Sequence, residues 1–192
     1  MKKHNLLLAA LFVFGLIMAA CARPPIQHMN MAHDAVIRAE SDADAVNYAS
    51  GLLVRARDTL TRMQNEADAR RFEAATNFAD EAISLAERAI VEGRAGAVRA
   101  RDEAATLINN LTAPLAETTN ALNAARHADH LNLDFGALSE DLYSARQNYD
   151  DARRSYANNN YIDAIAYGHN ARSLLLEINA DLNQAAQLAL RK

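Results

Sequence analysis

The chain has 192 residues, 23% of them charged, with 20 Lys+Arg against 24 Asp+Glu and a formal net charge of −4. That length bounds the fold to one domain or two small ones, and the acidic balance argues against nucleic acid or an anionic lipid surface as main partner, because both reward clustered cations. A single cysteine, Cys21, excludes an intramolecular disulfide.

Residues 1–20 have the order of a secretory signal: Lys2 and Lys3, then an apolar run from Leu6 to Ala20, with small residues before Cys21. The run is shorter than the roughly 20 residues a membrane-spanning helix needs, so a cleaved signal is expected. The string Leu16-Ile17-Met18-Ala19-Ala20-Cys21 resembles the lipobox of bacterial lipoproteins, with Met18 where that pattern prefers Leu. The resemblance implies cleavage before Cys21, lipidation of its thiol with diacylglycerol and acylation of the new amine, commonly by palmitate. Two or three acyl chains anchor stably where one is marginal. Ala22 follows the cysteine instead of Asp, which by the same resemblance implies the outer membrane, with the body facing the periplasm. Removing Lys2 and Lys3 leaves 18 Lys+Arg against the same 24 acids, a formal charge of −6. The expected organisation is a lipoprotein signal peptide at 1–20, a lipidated tether at 21–25 stiffened by Pro24 and Pro25, and a body beyond it.

Alanine is abundant, tryptophan is absent, and glycine and proline are scarce after residue 25, so the body is expected to be all-α. A first helix is expected over 26–40, then a polar connection over 41–48. The second helix, 49–66, carries Leu52, Leu53, Ala56, Leu60 and Met63 at three- and four-residue spacing. After a turn at 67–70, a third helix buries Phe72, Ala75, Ala79, Ala82, Ile83, Ala86, Ala89 and Ile90. Gly93 and Gly96 weaken it without stopping it, and it continues to about residue 110. Pro114 is expected to open a fourth helix as a first-turn proline. The apolar period lapses over 127–135, where Asp134 and Ser139 are candidate caps for a fifth helix. Asn158-Asn159-Asn160 marks the next turn, and a sixth helix runs from Tyr161 almost to the end.

An offset of 89 residues superimposes Ser50, Leu53, Ala56 and Arg57 on Ser139, Leu142, Ala145 and Arg146, and Ala75, Ala82, Ser84 and Leu85 on Ala164, Ala171, Ser173 and Leu174. Phe72 then matches Tyr161, and Phe78 matches Tyr167. The expected architecture is a duplicated antiparallel helical hairpin with long helices, divided into a first region at 26–112 and a second at 113–192. Asn159 to Tyr167 weakly resembles the onset of the second helix of a tetratricopeptide repeat, without that repeat's tryptophan, glycine and proline landmarks. A broader resemblance covers roughly 24–95: Pro-Pro, an alanine-spaced helix, Tyr48-Ala49, Leu53, Ala56, Leu60, the Arg71-Phe72-Glu73-Ala74-Ala75 turn, then Ala79, Ala82 and Ala86. This is similar to the bacterial envelope family called domain of unknown function 4398. The family implies no catalytic residue. Members often add a peptidoglycan-binding domain, whereas this chain carries a second hairpin.

Candidate sites are few. His127, Asp129 and His130 form one ligand-like cluster and His28 with His33 another, but the pairs lie far apart and cysteine is unavailable, so solvated histidines and no metal are expected. Tyrosines concentrate in the second hairpin. Tyr149, Tyr156, Tyr161 and Tyr167 would suit an aromatic groove for a peptide, glycan or apolar ligand, while the same spacing serves rings buried against a neighbouring helix with the hydroxyl in water. Lys192 is the only lysine after Lys3, and Leu190-Arg191-Lys192 resembles the end of the Braun-type lipoprotein, whose last lysine is joined to peptidoglycan. The alternative for Arg191 and Lys192 is a pair of cations complementing a helix dipole. There is no Gly-rich phosphate loop, nucleophile elbow or His-Glu-x-x-His motif, so no enzyme and no cofactor are expected. The expected role is a helical protein-interaction or structural module with an unidentified envelope protein as partner. Small-molecule or peptide binding and a membrane-to-wall tether are the alternatives.

Overall fold

The computed structural model describes residues 24–128 and 131–190. Among them are six helices: α1 (Ile26–Ser41), α2 (Ala43–Tyr48), α3 (Ser50–Asp68), α4 (Phe72–Arg126), α5 (Phe135–Ala157) and α6 (Tyr161–Ala189), with no strand in the described residues. The chain is all-α. By residue contacts it divides after Gly96 into two units, earlier than the 112/113 boundary expected above. α4 does not break at Pro114. Proline there lacks the N–H that would bond the Asn110 carbonyl, a defect that costs about 3 kcal/mol in a helix interior. The buried stripe of Leu111, Thr118 and Leu122 on either side of it offsets that cost and holds the helix continuous. The separate fourth helix of the sequence reading is therefore the second half of α4.

In the first unit, α1 starts on Pro25, whose carbonyl accepts from Met29 N at 3.0 Å, and buries Ala32, Ala35, Val36 and Ala39 along one stripe. The segment expected as a plain connection contains α2. Asp42 ends α1 in extended backbone and its carboxylate accepts from Ala45 N at 3.0 Å, so one side chain caps the new helix. Ala45 is fully buried, which pulls the short helix against α4. There a Cβ on Gly93 would stand 2.6 Å from Ala45 N, and one on Gly96 would stand 2.5 Å from Tyr48 Cβ. These two glycines, weak points by helix propensity, are what lets α2 approach. The core is alanine-rich, filled out by Val36, Leu53, Met63 and Leu85, with Leu52, Leu60, Phe78 and Ile83 packed at its edge.

The second unit contains residues 97–126 of α4, with α5 and α6. Asp134 caps α5, its Oδ1 accepting from Gly136 N at 3.0 Å and Ala137 N at 3.1 Å. Ser139 lies inside the helix, with its hydroxyl donating to the Phe135 carbonyl. Leucine and isoleucine dominate this core: Leu111, Leu122, Leu138, Leu142, Leu175, Ile178 and Leu182. Within it Asn179 Nδ2 donates to the fully buried Thr118 Oγ1 at 2.7 Å, satisfying a hydroxyl that burial would otherwise penalise.

The 89-residue repeat is carried by the backbone as well as by side-chain type. Arg70 and Asn159 both occupy left-handed conformations, at φ 60° and 61°. Arg71 N donates to Glu66 O at 2.9 Å, and Asn160 N donates to Ser155 O at 2.9 Å, the same bond one repeat later. Both turns thus end a helix with a left-handed residue that returns the chain onto the carbonyls just vacated. Leu53, Ala56, Ala75 and Ala82 are buried in the first hairpin, and Leu142, Ala145, Ala164 and Ala171 in the second.

Candidate functional site

The tyrosines of the second unit are spread along its helices. Tyr156 and Tyr161 meet across the α5–α6 turn, with ring centroids 5.6 Å apart and planes inclined at 58°, within the range in which edge-on aromatic pairs attract. Tyr161 donates its hydroxyl proton to Asn159 Oδ1 at 2.8 Å, so the ring that starts α6 also braces the left-handed residue. Arg101 of α4 is close enough to feel both hydroxyls. Its guanidinium is held more firmly protonated, first by hydrogen bonding to Asp102, then by that carboxylate's charge, with smaller contributions from Tyr156 and Tyr161. Tyr149 sits further along α5, its hydroxyl 3.1 Å from Thr112 Oγ1 and its ring 5.8 Å below the Arg153 guanidinium. Tyr167 is exposed on α6. Two of the four rings are therefore paired, the third packs on α4, and the fourth stands in solvent.

A concave surface lies elsewhere in the unit. A hollow of about 360 Å³ is lined by Leu107, Asn110, Leu111 and Pro114 of α4 and by Arg172, Leu175, Leu176 and Asn179 of α6. None of the four tyrosines lines it. Its position follows from two residues with special backbone consequences. Gly168 admits Leu107 so closely that a Cβ would stand 2.6 Å from Leu107 Cδ2. About two turns beyond Leu107, Pro114 removes a donor from the α4 backbone. The signal for this hollow in the sequence was Leu176, an exposed leucine (61%) beside the buried Leu175, outside the stripe that the core requires.

At the turn between α3 and α4, Glu66 and Arg71 form an ion pair. Hydrogen bonding to Arg71 holds the Glu66 carboxyl below the ordinary carboxylate range, opposed by desolvation and aided by the guanidinium charge. The same contact holds Arg71 more firmly protonated. Both groups face water, so this contact steadies a turn and builds no reactive centre.

Cys21 and Lys192 lie outside the described residues, as do Asp129 and His130 of the histidine cluster. His127 lies in the turn just after α4, and His28 and His33 are on α1. Among the described residues no three His, Cys, Asp or Glu side chains gather in the manner of a metal site. No helix among them is long and apolar enough to cross a membrane.

Comparison with known proteins finds no curated protein and no solved structure that matches the chain. A protein-family model does match residues 27–106, a span that runs from the second residue of α1 through α2 and α3 into the first part of α4. That segment of the chain belongs to the family described as domain of unknown function (DUF4398).

Proposed function

We propose that this chain is a lipid-anchored protein of the bacterial envelope, held to the outer membrane through Cys21, whose helical units act as non-enzymatic interaction modules in the periplasm. The observation that carries the reading is the segment from Lys2 to Cys21: cations, an apolar run too short to span a membrane, and a lone cysteine after small residues. The body supports the second part. Its polar side chains engage neighbouring backbone and each other, as in the Glu40–Arg57 and Glu66–Arg71 pairs, while apolar side chains such as Ile37, Val54 and Val91 remain at the surface.

The test has two parts. Cells fed an alkyne-bearing palmitate should label the wild-type chain and leave Cys21→Ser unlabelled and retarded on a gel by the uncleaved signal; equal labelling of both would remove the anchor. A photo-crosslinking residue at Val91 or Ile37 should then trap a discrete envelope protein in intact cells. Background attachment alone would remove the adaptor role while leaving the anchor standing.

A further inference from the structure

The hollow between α4 and α6 is unlike an ordinary seam between two helices. Five of its eight lining residues, Leu107, Leu111, Pro114, Leu175 and Leu176, are apolar, and the three others are Asn110, Asn179 and Arg172. Asn179 is oriented by its bond to Thr118. The Asn110 carbonyl cannot be bonded by residue 114, which has no N–H. Arg172 forms no ion pair with any described residue. It also lines an adjoining hollow, shared with Asp102, Glu103, Thr106, Leu107, Asn110 and His169. The slot thus has leucines along its length and a cation at its junction with a more polar recess.

We propose that this slot binds a short amphipathic carboxylate, its alkyl chain along Leu107, Leu111, Leu175 and Leu176 and its head on Arg172. The size follows from the volume: about 360 Å³ accommodates roughly a dozen non-hydrogen atoms at the ~30 Å³ each that water-sized groups occupy in a liquid. The charge of the head follows from the recess. A guanidinium without an ion-pair partner recognises a carboxylate through paired N–H donors, while Asp102 and Glu103 beside it penalise a doubly charged head such as a phosphate monoester. Asp102 is already bonded by Arg101, so it does not compete for Arg172.

The test is titration of the isotopically labelled full chain with octanoate and with 1-octanol, followed by amide chemical shifts. Octanoate is expected to move resonances in 107–113 and 172–179 in a saturable manner. Arg172→Gln should weaken octanoate roughly tenfold, the worth of one charge-assisted contact, and leave octanol unchanged. Leu176→Asp, at an exposed position that should not disturb the core, should weaken both. The proposal is overturned if octanoate moves no resonance in these segments at millimolar concentration, if Arg172→Gln affects acid and alcohol alike, or if the same resonances shift with protein concentration alone, which would make the slot a contact between two copies of the chain.

Discussion

The two units solve one packing problem with opposite choices of side-chain size. At three successive inward positions of the second hairpin helix the first unit has Ala86, Ala89 and Gly93, where the second has Leu175, Ile178 and Leu182, all six buried. Elsewhere the order reverses: Met63 stands opposite Ala152 in the repeat, and Ala79 opposite Gly168. The first unit brings backbones together and relies on surface-to-surface fit; the second keeps room for large side chains and relies on apolar area removed from water. A shared register therefore does not imply a shared source of stability.

Mutations separate the two modes. The largest effect is expected from Ile178→Ala, which empties a fully buried site and should destabilise the second unit by ~2–5 kcal/mol, read by residue-resolved hydrogen exchange. Protection in α1 and α3 that fell as much as in α5 and α6 would mean the units share one cooperative transition. Next, Gly93→Ala sets a Cβ against the backbone of Ala45, which cannot yield cheaply. Overpacking of ~1–3 kcal/mol should exceed the ~1 kcal/mol gained from helix propensity and loosen α2. Gly168→Ala meets the Leu107 side chain at Cδ2 and Cγ and no backbone atom, so it should cost less than Gly93→Ala in urea denaturation. Equal losses at the two glycines would erase the contrast between close backbone contact and adjustable side-chain contact.

The turns give a smaller difference. Arg70 bears the left-handed strain of an ordinary residue, while Asn159 tolerates that conformation. Arg70→Gly should therefore stabilise the first hairpin by about 0.5–1 kcal/mol, and Asn159→Gly the second by less. The smallest effect is electrostatic. Glu66, whose carboxyl is held low by Arg71, contributes stability that is present above its unfolded pKa and lost as pH falls through the lower folded pKa. The second unit has Ser155 and Asn160 at the matching positions and should lack this acid sensitivity. Carboxyl-resolved titration of Arg71→Gln should show Glu66 returning upward; no change would mean that the pair does not persist in solution.

Much of this fold was legible because helical periodicity and turn chemistry act locally. The stripe Leu53, Ala56, Met63, the Asn158–Asn160 turn and the Asp134 cap each depend on residues within a few positions of one another. What escaped was set at long range. Residues 43–48 show little apolar period, and their helix is held by one capping carboxylate and by contact with Gly93, some fifty positions away. Pro114 has the look of a helix start, and only the buried residues on both sides keep α4 intact. The same holds for the candidate site. Tyrosine content drew attention to rings that pair, pack on α4 or, at Tyr167, stand in solvent, whereas the slot is assembled from leucines of two distant segments around a glycine and a proline.

The left-handed turns at Arg70 and Asn159 also bear on how the molecule reaches its native state. Each closes a hairpin whose helices are neighbours in sequence, so the loop entropy lost in bringing them together is small. Such topologies have low contact order and nucleate fast. With a hairpin of this kind in each unit, neither has to wait for the other to begin folding, so exposed leucines such as Leu176 spend little time beside an unfolded neighbour.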